Sequence, residues 1–312
     1  MAKASESGPK GPPLVRNCGA VVMLHMAAEA DPEIRLRRAA FETFHAARMA
    51  AKAFGPPKLV TIPVVVHVVW KKASENISDE QIASQIVALN RDYAAQNADR
   101  AGVPAVWTSL VTDTRVRFAL ATKGPDGKAT SGITRTKTTK ATFAFTGNEM
   151  KFASKGGRDA WPTDRFLNLW ACTLSDSLLG FAQFPDDLNH ETDGVVILNT
   201  AFGTTGTAAP PFHLGRTAVH EIGHWLNLSH IWGDAPTATC SDGDSVADTP
   251  NQLRENTGKP KFPHVSCPHS PHGDMFMNYM DYVDDDTMVL FTKQQVDRMR
   301  SALAGPRKSF LV

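Results

Sequence analysis

Apolar and polar positions change period along the chain, and the changes mark its elements. Residues 1–17 are polar, rich in proline and glycine, and show no periodic apolar pattern. A short apolar run from Gly19 to Ala28 follows, interrupted by His25. Glu33 to Phe54 is rich in alanine and arginine and reads as helical, and Gly55-Pro56-Pro57 forms a natural boundary after it. Thr61 to Val69 is a β-branched run of the kind found in buried strands. Ser78-Asp79-Glu80-Gln81 has the form of a capping box. Ile82, Ile86, Leu89 and Tyr93 follow it at helical spacing as one apolar stripe. Val116–Leu120, Phe166–Cys172 and Gly194–Asn199 are further strand candidates, and a helix bearing His220 and His224 comes next. Residues 233–274 are rich in Gly, Pro, Asp and Ser with little periodicity. A last helix runs from about Thr292 to Leu303, with Val296, Met299 and Leu303 on one face. This order predicts an α+β fold: a twisted mixed sheet with a backing helix, a further helix beneath it, and an irregular C-terminal part, with a cleft between the halves.

Composition narrows the picture by exclusion. The 312 residues suffice for one large domain or two smaller ones, and 42% are hydrophobic, so a sizeable core can form. The net charge of +1, from 33 basic and 32 acidic residues, gives no electrostatic reason to expect nucleic acid or a membrane surface as partner. Apolar runs such as Ile62–Trp70 and Val195–Leu198 are strand-length, and none reaches a membrane span. Four cysteines, Cys18, Cys172, Cys240 and Cys267, are too few for a disulfide scaffold. Cys172 lies in an apolar strand and is expected to be a buried thiol. The N-terminus shows no clear signal peptide, which leaves a trimmed signal, unconventional export and intracellular residence all open.

The densest chemistry lies between His220 and His230. His220 and His224 are four residues apart, on one helix face, with Glu221 beside the first. Two imidazoles so placed can grip one zinc ion, with Glu221 facing it as a general base. His230 follows six residues later and can join only if the chain leaves the helix near Asn227 and bends back. Asparagine tolerates the left-handed conformation such a turn needs. On a continuing helix, His230 could not ligate. Residues 1–58 read as a pro-segment; a helical or flexible extension is the plainer alternative. No G-x-S-x-G elbow appears, which disfavours serine hydrolase chemistry.

With these motifs in hand, the chain resembles the pappalysin family of metzincin zinc metalloproteases over about residues 60–300. His220–Asp234 resembles the family's active-site helix and its exit, and Gly273–Tyr282 its Met-turn. Gly156–Trp161 and Leu179–Pro185 resemble upstream segments. The resemblance implies a zinc endopeptidase made as a zymogen, with residues 1–58 as pro-segment and 59–312 as catalytic domain. The upper part of that domain runs to about 230 and the lower part over 231–312. His220, His224 and His230 would hold zinc, with Glu221 as the base and Tyr282 as donor to the oxyanion. Met280 would form the apolar floor beneath the metal.

The same resemblance assigns Cys18, in Arg16-Asn17-Cys18-Gly19, to a cysteine switch whose sulfur occupies the fourth zinc position. It pairs Cys240 with Cys267 in a disulfide, worth about 3 kcal/mol through loop closure. The family's second bridge is replaced here by Lys259 and Thr287. In the loop Ser241–Pro250 it marks Asp244, Thr249 and, third, Asp248 as calcium ligands. In Asp284-Asp285-Asp286 it points to an aspartate selecting Arg or Lys after the cut bond, with Asp286 as first choice and Asp285 as second. A second zinc site from His264, His269, His272 and Cys267 is rejected for irregular spacing. Protein or peptide substrates, secretion, a monomer or weak dimer, and self-cleavage before Arg48 complete the expectation. Two rivals stay open at this point: a zinc-bound but non-catalytic binding protein, and a zinc hydrolase of non-peptide amides.

Overall fold

The computed structural model describes residues 15–52, 58–235 and 237–311. Two N-terminal helices, α1 (Ala20–Ala30) and α2 (Glu33–Ala50), precede the sheet. Helix α2 begins where the sequence predicts and stops at Ala50, with Lys52 already left-handed at φ 49°. The predicted boundary Gly55-Pro56-Pro57 lies outside the described residues. Strand β1 (Val60–Trp70) then leads into helix α3 (Asp79–Tyr93), whose capping residue Ser78 accepts from the Gln81 amide at 3.2 Å. Strands β2 (Val116–Leu120), β3 (Ile133–Lys137), β4 (Leu167–Cys172), β5 (Gly180–Ala182) and β6 (Val195–Leu198) complete a six-stranded sheet. Helix α4 (Arg216–Trp225) follows, then a short parallel pair, β7 (Thr257–Gly258) and β8 (Tyr282–Val283), and finally helix α5 (Lys293–Ala304).

Strand β1 organises the sheet. Its lower half, Val60–Val64, pairs with β2 and its upper half, Val66–Trp70, pairs with β3 on the same edge; β4 takes the other edge. All these pairings are parallel, so both faces must be covered, which is why β1 reads as a continuous apolar run. Strand β6 continues the parallel order, and β5 closes it antiparallel at the rim. The pattern missed β3 and β5 for physical reasons. Ile133-Thr134-Arg135-Thr136-Lys137 is a half-solvated edge with little apolar signal, and β5 has only three residues, one of them glycine. Helix α1, read only as a short apolar run, and the two-residue strands β7 and β8 were not expected either; helices α2 to α5 and strands β1, β2, β4 and β6 fall close to their predicted places.

Every residue of α4 is buried. Tyr93 at the end of α3 donates to the Val219 carbonyl at 3.2 Å, fixing one side of the helix. Met280 fixes the other: a Cβ at Gly223 would lie 2.5 Å from its sulfur, so only glycine lets the chain around Met280 approach. The helix ends in a Schellman motif, with the Leu228 amide donating to Gly223 at 2.9 Å and the Asn227 amide to His224 at 2.8 Å. Asn227 holds the left-handed position at φ 71°.

Two carbonyls at this helix end are left for side chains to satisfy. Arg307 Nε donates to Trp225 O at 2.6 Å and Arg298 Nε to Asn227 O at 2.7 Å. Two buried guanidiniums therefore meet the negative end of the helix dipole. Arg307 also forms a two-pronged pair with Asp193 at 2.9 and 3.0 Å. The bridge between Cys240 and Cys267 is present. Among the described residues no helix is long and apolar enough to cross a membrane.

Replacing Arg307 with Ala strips a carbonyl of its donor and leaves the buried Asp193 carboxylate without its cation, held only by the Trp225 indole. We expect a stability loss of about 3–5 kcal/mol, read as a lowered urea midpoint; an unchanged midpoint would remove the helix-end role.

Candidate active site

His220 and His224 project from one face of α4, and the turn at Asn227 brings His230 back to them. Their Nε2 atoms converge, with His224 3.2 Å from both His220 and His230. Each ring's other nitrogen has a fixed acceptor. His220 Nδ1 faces Tyr279 O at 2.8 Å, His224 Nδ1 faces Leu228 O at 2.7 Å, and His230 Nδ1 faces Asp234 Oδ1 at 3.0 Å. A nitrogen facing a carbonyl or carboxylate carries the proton, which leaves each Nε2 as the atom able to offer a lone pair to the common point. Burial, and after it the neighbouring His230, pushes His224 down to about 3. Burial likewise drives His220 well below the usual histidine range. Three imidazole nitrogens aimed at one centre suit a cation between them, and nitrogen donors in this number suit zinc.

Cys18 supplies the fourth donor atom, all four lying within 4.8 Å of one another. Its thiol also donates to Glu221 Oε2 at 3.2 Å. Burial pushes Glu221 up to about 8, with the Cys18 hydrogen bond and Arg16 acting in the opposite sense. Glu221 can come this close to the rim because the facing residue is Gly180, where a Cβ would lie 3.0 Å from Glu221 Cγ.

Residues 17–19 hold Cys18 in place as a short strand. The Gly19 amide donates to Gly180 O and the Leu179 amide to Asn17 O, both at 3.0 Å, and the pairing is parallel to β5. Tyr282 exchanges hydrogen bonds with the Cys18 backbone, accepting from its amide at 3.2 Å and donating to its carbonyl at 3.4 Å. The tyrosine ring also packs edge-on against His230, which stacks on Trp232. Met280 is fully buried beneath the cluster, against Gly223.

Two residues before Cys18, Arg16 enters a pocket at the opposite end of α4 from His224. It pairs with Asp285 at 2.6 Å, donates to Val283 O and Thr217 Oγ1 at 3.2 Å each, and lies over the Phe212 ring. The Leu214 amide holds the other Asp285 oxygen at 2.7 Å. The two neighbouring aspartates point in opposite directions. Asp286, the first choice from sequence, points outward with its side chain 46% exposed and pairs with Lys259. Asp285, its neighbour, takes the inward direction with its side chain fully buried. Lys259 and Thr287 both bond to Asp286, so the positions expected of a lost bridge are joined by polar contacts.

The proposed calcium loop is only partly assembled. Asp244 Oδ1 accepts from Thr249 Oγ1 at 2.7 Å and from the Val246 amide at 3.1 Å, while its Oδ2 is buried without a partner. Burial pushes this carboxyl up to about 8. Asp248 does not join them: its carboxylate accepts from Thr292 Oγ1 and the Gln294 amide, at the start of α5. The rejected second zinc site finds no support either, because Cys267 is bonded to Cys240. Among the described residues the only metal-capable group of this kind is the one containing Cys18. Cys172 is buried in β4.

Sequence reasoning missed Arg16, Asp234 and the two arginines behind the helix. Arg16 lies in the Arg16-Asn17-Cys18-Gly19 motif, where the thiol carries the obvious chemistry. Asp234 closed the quoted active-helix stretch, and its spacing of four from His230 was the available signal. Arg298 and Arg307 have none, since their partners, two backbone carbonyls and the carboxylates of Glu42 and Asp193, are all distant in sequence.

The sheet, the helix and the three convergent histidines define a zinc-dependent metalloendopeptidase. The family model for pregnancy-associated plasma protein-A, peptidase family M43, matches residues 151–304. An extracellular metalloprotease of Pyricularia oryzae is 33% identical over 255 residues, covering 78% of this chain and 75% of that protein. One from Verticillium alfalfae is 32% identical over 252 residues, with the same two coverages. A mutant of Tannerella forsythia promirolysin superposes with a TM-score of 0.87 at 44% identity, over 95% of this chain and 97% of that one. Mature mirolysin from the same organism, in complex with a cleaved peptide, gives 0.80 at 48% identity over 82% of this chain and 97% of that one. The chain belongs to the M43, or pappalysin, family of metalloproteases.

Asp234 orients the third imidazole, so Asp234→Asn should weaken zinc binding about 10–100-fold. Competition with a chromogenic chelator reads this directly, and an unaltered affinity would assign Asp234 a purely structural part.

Proposed function

We propose that the chain is the latent form of an endopeptidase that cuts peptide bonds on the N-terminal side of arginine. One observation carries this reading: Arg16 and Cys18 occupy the cleft together, the arginine on Asp285 and the thiol against the histidines. A segment so seated fills both a side-chain pocket and the reaction centre. The coverage of the two mirolysin chains, 95% against 82% of this one, suits a detachable N-terminal segment.

His220, His224 and His230 are the residues to hold zinc, which when bound polarises a carbonyl and acidifies water. Glu221 is placed to accept a proton from the attacking water and to pass it to the leaving amine. With Cys18 in place, Glu221 bonds a thiol and the Tyr282 hydroxyl bonds the Cys18 backbone. Departure of residues 16–19 frees both, and the Tyr282 hydroxyl becomes available to donate to the oxyanion. Met280 keeps the underside of the centre apolar. Asp285 pairs with the arginine guanidinium after the scissile bond, a role moved here from Asp286.

Latency then follows from occupancy, with Cys18 as the switch and residues 1–58 as the pro-segment. Arg48 lies in the last turn of α2, where a helix opens most readily, so self-cleavage before it would sever α1 and most of α2 from the rest. The extracellular relatives support export of this chain as well. Asp244 and Thr249, without Asp248, form the calcium proposal, supported by the unpartnered Asp244 oxygen.

A peptide-library digest of the activated protein, with and without chelator, tests the whole reading. Cleavage before arginine that chelation abolishes is the expected result. Asp285→Ala should lower kcat/KM for such peptides about 30-fold or more, while Asp286→Ala should change it little; the reverse ranking would restore Asp286. Cys18→Ala should shorten the lag before activation, and mass spectrometry of the mature N-terminus should find Arg48; an unaltered lag would count against the switch. Calcium should raise the Tm of the wild type but not of Asp244→Asn, and equal responses would remove the calcium site.

A further inference from the structure

The pro-segment makes a second arginine contact, on the other side of the metal centre from Arg16. Arg16 reaches Thr217 and Asp285 near the start of α4, whereas His224 lies seven residues further on, about 10 Å along the axis. Phe184 packs against His224 with ring centroids 5.1 Å apart. Arg38 of α2 lies over the Phe184 ring, 5.0 Å from its centroid, and its guanidinium bonds Asp186 Oδ2 at 3.0 Å. Arg37 Nε donates to the Asp186 backbone carbonyl at 2.7 Å. Asp186 is only 3% exposed under this cover. An aromatic face beside a carboxylate is the chemistry that receives a cationic side chain, and Arg38 uses both parts at once.

We infer that Phe184 and Asp186 form a second specificity subsite, which takes a lysine or arginine side chain on the N-terminal side of the scissile bond. This rests on the reading of residues 1–58 as a removable segment and of the Asp285 pocket as the site for the residue after the cut. If Arg16 marks the downstream side, residues beyond Cys18 mark the upstream side, and there the chain leaves β5 through Gln183 and Phe184 and turns at Asp186. Gly180 pairs with Cys18 at the reaction centre. At about 3.3 Å per residue, a substrate strand laid along this rim brings its side chains two to four residues before the cut alongside Phe184. Release of α2 removes Arg38 from Asp186, and also Glu42 from Arg298. Asp186 is left as an acidic group at the rim, next to Asp187. Arg298 remains tied to the Asn227 carbonyl through Nε.

The test uses the mature zinc enzyme and peptides with arginine fixed after the cut. Each position from two to four residues before the cut is set in turn to lysine, glutamine or glutamate. At one of them the wild type should favour lysine over glutamine in kcat/KM by about three- to fivefold, the range of a partly exposed ion pair. The preference should shrink in 0.5 M salt. Asp186→Lys should turn the preference towards glutamate. A flat wild-type profile, with cleavage before arginine intact, would overturn the subsite and would mean that Asp186 finds another partner, such as Arg298, once α2 has gone. The wild-type measurement decides this even if the substituted protein does not fold. Loss of cleavage before arginine itself would instead sink the underlying reading, and the subsite with it.

Discussion

Three imidazole nitrogens can share one point only if each ring is held by its far side. Here the far sides are tied to Tyr279 O, Leu228 O and Asp234, three acceptors from three different stretches of chain. The site therefore depends on structure well outside α4. Tyr279 belongs to the turn that carries Met280 beneath the helix. Leu228 closes the Schellman motif that Asn227 makes possible. Arg298 and Arg307, from the C-terminal segment, hold the carbonyls at the helix end. Each of these contacts restricts where the chain can go after Trp225, and together they set the position of His230.

The same centre explains why the N-terminal residues dock where they do. A buried cluster of lone pairs beside a carboxylate is a poor neighbour for apolar packing and a good one for a metal and a fourth donor. Residues 17–19 reach it by adding a strand to β5, the one edge of the sheet that borders the cleft. Their parallel direction places Arg16 at one end of the cleft and the two helices at the other. The helices contribute ion pairs from Arg38 and Glu42 to Asp186 and Arg298, and an apolar cluster of Leu24, Ala28 and Ile34 with Phe184. Much of what holds the segment down is thus charge against charge at the cleft rim.

Legibility in the sequence followed the range of the interaction. His220, Glu221 and His224 were readable because helical spacing alone puts them together. Asn227 was readable because few residues tolerate φ 71°. Strand β1 and helix α3 announced themselves through burial on both faces and through a cap. What stayed hidden was set by partners remote in sequence. Nothing local distinguishes Asp285 from Asp286; the backbone after β8 decides which one faces inward. Nothing local shows that the Asp248 carboxylate accepts from Thr292 and Gln294 at the start of α5. Strand β3 was invisible because an edge strand with polar side chains carries no apolar period.

On the function proposed above, one zinc centre passes from a sulfur-blocked to an open state when the N-terminal segment leaves. X-ray absorption at the zinc edge, recorded on the intact chain and again after activation, tests it most directly. The account predicts one sulfur neighbour at about 2.3 Å and three nitrogens at about 2.0–2.1 Å in the intact chain, with the sulfur replaced by a light atom afterwards. A centre with only nitrogen and oxygen neighbours before activation, or one that keeps its sulfur after it, would contradict the account.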